Sequence, residues 1–210
     1  MGKVIITINR ESGSGGREIA RILGKKLGLK VYDKGVLEAL TEKFKLNEEE
    51  IERIKAQKLN FWDDICQFYR QFDTNEGRQY QSERRKVTSR ELYSTERQIM
   101  LNLAQKESCI IVGRVAFHIF KDNPDAMRLF VYAERDIRIR HLAKIDNISL
   151  EEAARVVDET DKARETFTRN FAGVTRYDVR NYDMSINVGN YTPEAVAEFL
   201  AEIARRKLKK

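Results

Sequence analysis

Residues 4–27 read VIITINRESGSGGREIARILGKKL, and this stretch decides the fold. The continuous apolar run from Val4 to Ile8 is typical of a strand that is buried on both faces. From Arg17 to Leu27 the apolar residues recur at helical spacing, and Gly28 is well placed to end a helix. The residues in between are rich in glycine. The stretch therefore predicts a strand, a glycine loop and a helix, in that order.

The same alternation continues along the chain. Further buried strands are predicted at residues 29–32, 109–112, 127–132 and 184–188. Helices are predicted at residues 96–104, 134–145 and 149–168, and from Pro193 onward. Ser149 opens a capping box, and Pro193 suits a first helical position. Strands that alternate with helices predict an α/β fold with a parallel five-stranded sheet flanked by helices.

Residues 37–103 break this alternation. They contain no convincing strand pattern, and their apolar residues fit helices. An aromatic cluster between Phe61 and Phe72 is expected to form a core rather than a base-stacking platform. The segment is predicted to be a helical insert in the α/β core.

Composition excludes several classes of protein. No apolar run approaches the roughly 20 residues that a membrane span needs. Cys66 and Cys109 are far apart and the chain has 2 histidines, so neither a disulfide framework nor a metal site is predicted. A cytoplasmic location is expected on this basis. The 39 basic and 33 acidic residues give a net charge of +6, which suits an anionic ligand. This excess is too small on its own to indicate a nucleic-acid partner, and nucleic acid is considered an unlikely partner.

The glycine loop predicts an anion cradle, because backbone N–H groups and the positive end of a helix converge there. Two nucleotide motifs compete with a simple turn that binds no ligand. The dinucleotide pattern G-x-G-x-x-G is met by Gly13 and Gly15 but fails at Glu18, although Asp33 stands where a ribose-binding acid would be.

The mononucleotide pattern G-x-x-x-x-G-K-[ST] is also met only in part. Gly15 matches its second glycine. Arg10 replaces the first glycine, Gly16 replaces the lysine and Glu18 replaces the hydroxyl residue. By pattern alone, both nucleotide motifs fail.

Several segments in order resemble the cytidylate kinase-like family, a divergent branch of the P-loop nucleoside monophosphate kinases. They are ITINRESGSGGREIA at residues 6–20, YDK at 32–34, IVGR at 111–114 and the pair Asp161 and Arg164. The resemblance covers nearly the whole chain. It implies a P-loop NTPase-like core at residues 1–36, 104–145 and 177–210, a nucleoside monophosphate-binding (NMP-binding) helical insert at 37–103 and a helical lid at 146–176.

The resemblance also implies ATP-dependent phosphoryl transfer to a nucleoside monophosphate, with CMP or dCMP the leading acceptor and ATP with Mg²⁺ as cofactors. Arg17 is expected to substitute for the missing lysine, and Arg164 and Arg169 to clamp phosphates. The residues expected to bind ATP are Ser12, Gly13, Ser14, Gly15, Gly16, Arg17 and Glu18.

The acceptor site follows from the same resemblance. Arg114 matches the arginine that grips the acceptor phosphate, and a guanidinium fork suits that contact. Asp33 lies beside the acceptor, with Lys34 where cytidylate kinases carry a hydroxyl. Asp161 is expected to contact the base or sugar. Val157 replaces a family arginine.

Other functions remain open. The missing lysine and hydroxyl residue favour, as the alternative, a nucleotide-binding regulatory protein without kinase activity. A dinucleotide-dependent oxidoreductase is a weaker alternative, and RNA binding through the basic C-terminal tail ranks last. The sequence does not indicate the oligomeric state.

Overall fold

The structure is a computed structural model that describes residues 2–33 and 89–208. The chain divides into two compact units, residues 1–33 with 106–210 and residues 34–105. The predicted aromatic cluster of the insert and Lys34 lie outside the described residues. The sheet belongs entirely to the first unit.

The described elements follow the predicted order. The strands are β1 (Ile5–Arg10), β2 (Lys30–Tyr32), β3 (Cys109–Val112), β4 (Ala126–Tyr132) and β5 (Met184–Asn187). The helices are α1 (Gly16–Leu27), α2 (Ser89–Lys106), α3 (Ala116–Ile119), α4 (Arg135–Asp146), α5 (Leu150–Ala172) and α6 (Pro193–Leu208), with a 3₁₀ turn at Val179–Asn181.

The five strands form one parallel sheet in the order β2-β3-β1-β4-β5. This confirms the α/β fold class and the five-stranded parallel sheet. In the dinucleotide-binding order, β1 pairs directly with β2. Here β3 lies between them, so the sheet does not support the oxidoreductase alternative.

Apolar burial explains why these segments form this sheet. Every residue of β1 and β3 is buried, as expected for strands covered on both faces. Helices α1 and α6 pack against each other and share an apolar cluster with the central strands, which includes Ile19, Leu23 and Leu200. A smaller cluster joins α4 and α5 through Ile139, Ala153 and Val157. Val157 is therefore a packing residue at the position of the family arginine.

Most predicted boundaries are within a few residues of the observed ones. Strand β1 continues past Ile8 to Arg10, and α2 starts at Ser89 rather than at Glu96. Helix α5 begins after Ser149, whose Oγ accepts a hydrogen bond from the N–H of Glu152 at 3.1 Å, as the capping box predicts. Within the described parts of the chain, no helix is long and apolar enough to cross a membrane.

Candidate active site

The loop between β1 and α1 lies at the carboxyl edge of the sheet, where α/β folds bind ligands. Gly13 and Gly15 have φ angles of +78° and +76°, a left-handed conformation that favours glycine. A Cβ atom on Gly13 would lie 2.4 Å from the carbonyl oxygen of Arg138. Gly13 is therefore required both by its backbone conformation and by the close approach of α4.

Side chains of helices α4 and α5 hold this loop through hydrogen bonds. Asp161 on α5 accepts a hydrogen bond from the N–H of Ser12 at 2.9 Å. Arg138 on α4 donates to the Ser12 carbonyl at 3.0 Å and to Asp161 at 2.7 Å. His141 Nδ1 lies 2.8 Å from the carbonyl oxygen of Gly13. These contacts satisfy the inner polar groups of the loop and fix its shape.

The start of α1 presents unused donors. The first helical hydrogen bond runs from the N–H of Ile19 to the Gly15 carbonyl at 3.0 Å. The N–H groups of Gly16, Arg17 and Glu18 precede it and find no partner within the helix. The residue at the N-cap position is Gly15, which has no side chain that could cap these N–H groups. Free N–H groups and the positive helix end together attract an anion.

Arginine side chains concentrate positive charge beside these donors. Arg10 is buried, and burial together with the charges of Arg164 and Arg17 lowers its pKa to about 9. Arg164 donates to the Arg10 carbonyl at 3.3 Å, and burial and the charge of Arg176 lower its pKa to about 10. Burial is the main cause of both lowered pKa values, and the neighbouring positive charges add to it.

Arg17 and Asp33 lie next to each other. Arg17 Nε is 3.4 Å from Asp33 Oδ2. The side chain of Arg17 is 70% exposed and that of Asp33 is 24% exposed. An expected ATP-binding cation and an expected acceptor-binding acid are thus paired with each other at the edge of the sheet.

The turn after β3 is strained at Arg114. Gly113, Arg114 and Val115 have φ angles of +80°, +52° and +59°. Two consecutive non-glycine residues in this conformation cost free energy, and such strain concentrates at functional sites. The guanidinium of Arg114 lies over the ring of Phe167, 4.6 Å from its centroid. The turn thereby directs Arg114 toward α5.

The structure brings together most of the expected site residues. The loop from Ser12 to Glu18, Asp33, Arg114 and Arg164 all lie around the carboxyl ends of β1, β2 and β3. Arg169 is exposed and pairs with Glu165 at 2.6 Å.

Asp161 differs in kind from the other expected site residues. It is 8% exposed, and its carboxylate also lies 3.4 Å from Nη1 of Arg176. With the bonds from Ser12 and Arg138, both carboxylate oxygens are in use. This geometry makes Asp161 a support for the loop.

Sequence reasoning missed several residues that build the site. Arg138 was one basic residue among several in a helix, and nothing marked it as buried. Arg176 is fully buried and donates to the Asn9 side chain at 3.4 Å and to the Arg10 carbonyl. Tyr182 receives a hydrogen bond from Asn9 at 2.6 Å and donates to the Arg176 carbonyl at 2.7 Å. The only sequence signal was the i, i+3 spacing of Arg138 and His141, which places both on one face of α4.

Glu11 closes the base of the loop. Its carboxylate lies 3.2 Å from Arg138 Nε and accepts from the N–H of Ala133 at 3.3 Å. Burial raises its pKa, and the charge of Arg138 opposes that rise. Glu11 therefore balances Arg138 inside the fold, where an unpaired arginine would be costly.

The carboxylates near the loop decide whether Mg²⁺ could be held there. Among residues 2–33 and 89–208, no three His, Cys, Asp or Glu side chains cluster as a metal site. Mg²⁺ in kinases keeps waters and nucleotide phosphates as ligands and needs only one or two carboxylates. The carboxylate of Glu18, in the first turn of α1, fits that demand.

Comparisons with known proteins agree with this geometry. Cytidylate kinase of Sulfurisphaera tokodaii is 26% identical over 201 residues, covering 94% of this chain and 93% of the relative. Cytidylate kinase of Sulfolobus acidocaldarius is 25% identical over 207 residues, covering 96% and 94%.

Solved structures show the fold. A protein of Eubacterium ventriosum ATCC 27560 superposes with a TM-score of 0.63 at 20% identity, covering 97% of this chain and 99% of that one. Shikimate kinase of Bacteroides thetaiotaomicron superposes with a TM-score of 0.52 at 14% identity, covering 96% and 98%. The fold is that of the P-loop kinases.

A phosphotransferase of that fold requires backbone N–H groups that are free to bind phosphate, with positive charge beside them. The start of α1 and the neighbouring arginines offer both. A family model matches residues 5–190, and the chain belongs to the cytidylate kinase-like family.

Proposed function

We propose that this protein transfers a phosphoryl group from ATP to a nucleoside monophosphate, with CMP or dCMP the leading acceptor. The observation that carries the proposal is the free N–H row at the start of α1 beside Arg10 and Arg164. The relatives named cytidylate kinase support the choice of acceptor.

The donor phosphates would lie against the loop from Ser12 to Glu18. Its glycines let the backbone approach a phosphate closely, and the N–H groups at the start of α1 add the positive end of that helix. Glu18 would hold Mg²⁺ directly or through water. The ion, when bound, would neutralise charge on the phosphate oxygens.

The acceptor would lie on the other side of the same edge. Arg114 would grip its phosphate as a fork, with Asp33 and Lys34 beside it. The resemblance also assigns Asp161 to the acceptor, and that assignment stays a prediction. Its hydrogen bonds with Ser12 and Arg138 favour a positioning role instead.

The remaining arginines would act on the transferred group. Arg164 lies beside the loop, and Arg17 would exchange its partner Asp33 for phosphate. Arg169 would have to exchange its Glu165 partner for phosphate. Such exchanges would accompany closure of residues 146–176 as a lid, with residues 37–103 as the acceptor-binding insert.

The test measures ADP formed from ATP with each of the common ribonucleoside and deoxyribonucleoside monophosphates. We expect turnover with CMP or dCMP. We expect Arg114→Ala to raise the KM for the monophosphate about 100-fold, because a bidentate charged contact is lost. The KM for ATP should stay constant. Arg206→Ala is the matched control, since Arg206 is exposed and pairs only with Glu202 on α6. An unchanged monophosphate KM in Arg114→Ala would remove Arg114 from the acceptor site.

A second candidate function is nucleotide binding without kinase activity. Gly16 at the lysine position and Glu18 at the hydroxyl position favour it. Calorimetric titration with ATP separates the two functions. ATP binding without ADP formation from any monophosphate would support the regulatory function and contradict the kinase.

A further inference from the structure

The P-loop lysine of ordinary kinases reaches the β- and γ-phosphates, and Gly16 stands in its place. Arg17 is the nearest substitute along the chain. In the structure, however, Arg17 is 70% exposed and pairs with Asp33. Arg17 therefore does not fill the interior of the anion cradle that the glycine loop forms, and another cation can lie there.

Arg10 occupies that interior. A Cβ atom on Gly16 would lie 2.7 Å from Arg10 Cβ and 2.9 Å from Arg10 Cγ. A Cβ atom on Gly113 would lie 2.3 Å from Arg10 Nη1. The side chain of Arg10 thus runs between two glycines, one at the start of α1 and one after β3. No side chain at position 16 fits while Arg10 keeps this path.

Arg10 is 9% exposed, and among the described residues its guanidinium takes part in no ion pair. Its charged neighbours include Arg164, Arg17 and Arg176, with Asp33 as the acid that opposes them. A buried charge of this kind is costly unless a ligand compensates for it.

Its location indicates which ligand that would be. The guanidinium lies beside Gly113, one residue before the expected acceptor-binding Arg114. The stem lies against Gly16, at the expected donor-binding amides. Arg10 therefore lies between the two expected phosphate sites, where the transferred group would pass.

We propose that Arg10 supplies the cation that the P-loop lysine supplies in ordinary P-loop kinases. Arg10 in place of the first glycine then compensates for Gly16 in place of the lysine. This inference rests on the proposed kinase function. During transfer, the bond between the γ-phosphorus and the β,γ-bridging oxygen breaks, a bond to an oxygen of the acceptor monophosphate forms, and ADP leaves. Arg10 binds the oxygens of the β- and γ-phosphates and stabilises their charge without changing its own protonation.

The experiment uses three variants of the full chain. Arg10→Met removes the charge and keeps an unbranched side chain of similar length. Arg10→Gly combined with Gly16→Lys restores the first glycine and the lysine of the ordinary loop and keeps Glu18. Arg21→Met is the matched control, because Arg21 is exposed on α1. For each variant, calorimetry measures binding of ATP and of AMP, a thermal melt measures stability without ligand, and ADP formation measures turnover.

We expect Arg10→Met to weaken ATP binding at least 10-fold, to leave AMP binding nearly unchanged and to lower kcat about 100-fold. Its melting temperature should be equal or higher, since an unpaired buried charge is removed. The double variant should regain ATP affinity and turnover to within about 10-fold of the natural protein.

The outcomes separate the two proposals. If the natural protein binds ATP but turns over no monophosphate, the kinase proposal fails, and loss of ATP affinity in Arg10→Met still supports the role of Arg10 in phosphate binding. If turnover exists and Arg10→Met keeps both kcat and ATP affinity, the role of Arg10 is overturned and the kinase stands. If Arg10→Met does not fold, the double variant decides: lost ATP affinity in a folded double variant overturns the compensation of Gly16 by Arg10.

Discussion

Two ion pairs, one helical turn apart on α5, link this helix to α4 in opposite surroundings. Asp161 is buried between Ser12 and two arginines, with its bond to Arg138 at 2.7 Å. Asp158 pairs with Arg135 at the same 2.7 Å, and the side chains of both are at least half exposed, at 56% and 50%. Distance therefore does not distinguish the two pairs.

Burial distinguishes them. An exposed pair competes with water and contributes little to folding, whereas removing one member of a buried pair leaves an uncompensated charge inside the protein. The buried Asp161 pair positions the glycine loop, whereas the Asp158 pair lies in solvent. The comparison teaches that the arginines of this chain must be sorted by their surroundings rather than by spacing.

The largest expected effect comes from Asp161→Ala. This change leaves Arg138 and Arg176 without their shared carboxylate and removes the acceptor for the N–H of Ser12. We expect the free energy of unfolding to fall by about 3–5 kcal/mol. Urea unfolding followed by circular dichroism measures it.

Asp158→Ala is the matched control, one helical turn away in an exposed pair. It should shift the urea midpoint only slightly, because its partner Arg135 remains hydrated. Equal shifts for the two variants would contradict the distinction between the buried and the exposed pair.

The second effect concerns two glycines with similar backbones. Gly13 and Gly28 have φ angles of +78° and +67°, but a Cβ atom meets the Arg138 carbonyl at 2.4 Å at Gly13 and nothing within 4 Å at Gly28. Gly28→Ala should cost about 1 kcal/mol for the left-handed conformation alone. Gly13→Ala should cost about 2 kcal/mol more, because α4 must move away.

Thermal or urea unfolding of both variants gives the difference directly. Both glycines have a left-handed backbone, so the difference between the two unfolding free energies measures only the close packing of the loop on α4. If the two costs are the same, the loop tolerates displacement of α4, and the proposed rigidity of the cradle is wrong.

The smallest expected effect is on the pKa of Asp178, which pairs with the exposed Arg180. Hydrogen bonds from the side chain and the N–H of Arg180 hold the pKa of Asp178 at about 2, below the ordinary 3.8. A lowered carboxyl pKa contributes stability that is present above pH 3.8 and is lost as the pH falls toward 2. Arg180→Ala should raise the pKa of Asp178 but leave it below 3.8, since the backbone N–H of residue 180 still donates at 3.0 Å.

Carbon-detected NMR of the Asp178 carboxyl follows this titration in the natural protein and in the variant. The free energy of unfolding at pH 7 should be almost the same in both, as for other exposed pairs. An unchanged pKa in Arg180→Ala would show that the backbone bond alone holds the carboxylate.

Much of the fold was predictable because it follows from local patterns. The apolar run of β1, the glycine loop and the periodicity of α1 indicated strand, loop and helix correctly. The capping box at Ser149 located the start of α5, because Ser149 caps through a partner three residues away. The strand order was not predictable in this way, since the pairing of β1 with β3 joins residues about a hundred positions apart.

The candidate site divides along the same line. The loop residues, Asp33 and Arg114 follow strands directly, so their placement at the carboxyl edge followed from the parallel sheet. The burial of Arg138 and Arg176 was not predictable from local sequence, because it depends on elements that pack from distant parts of the chain.

The amino-acid sequence predicted an α/β chain with a glycine loop suited to an anion and, through its motifs, the family to which it belongs. The assembled structure established which charges are buried and which side chain fills the space above Gly16. The physical reason is that a motif is a local spacing, whereas the desolvation of Arg10 and Asp161 arises only when strands and helices far apart in the chain enclose them.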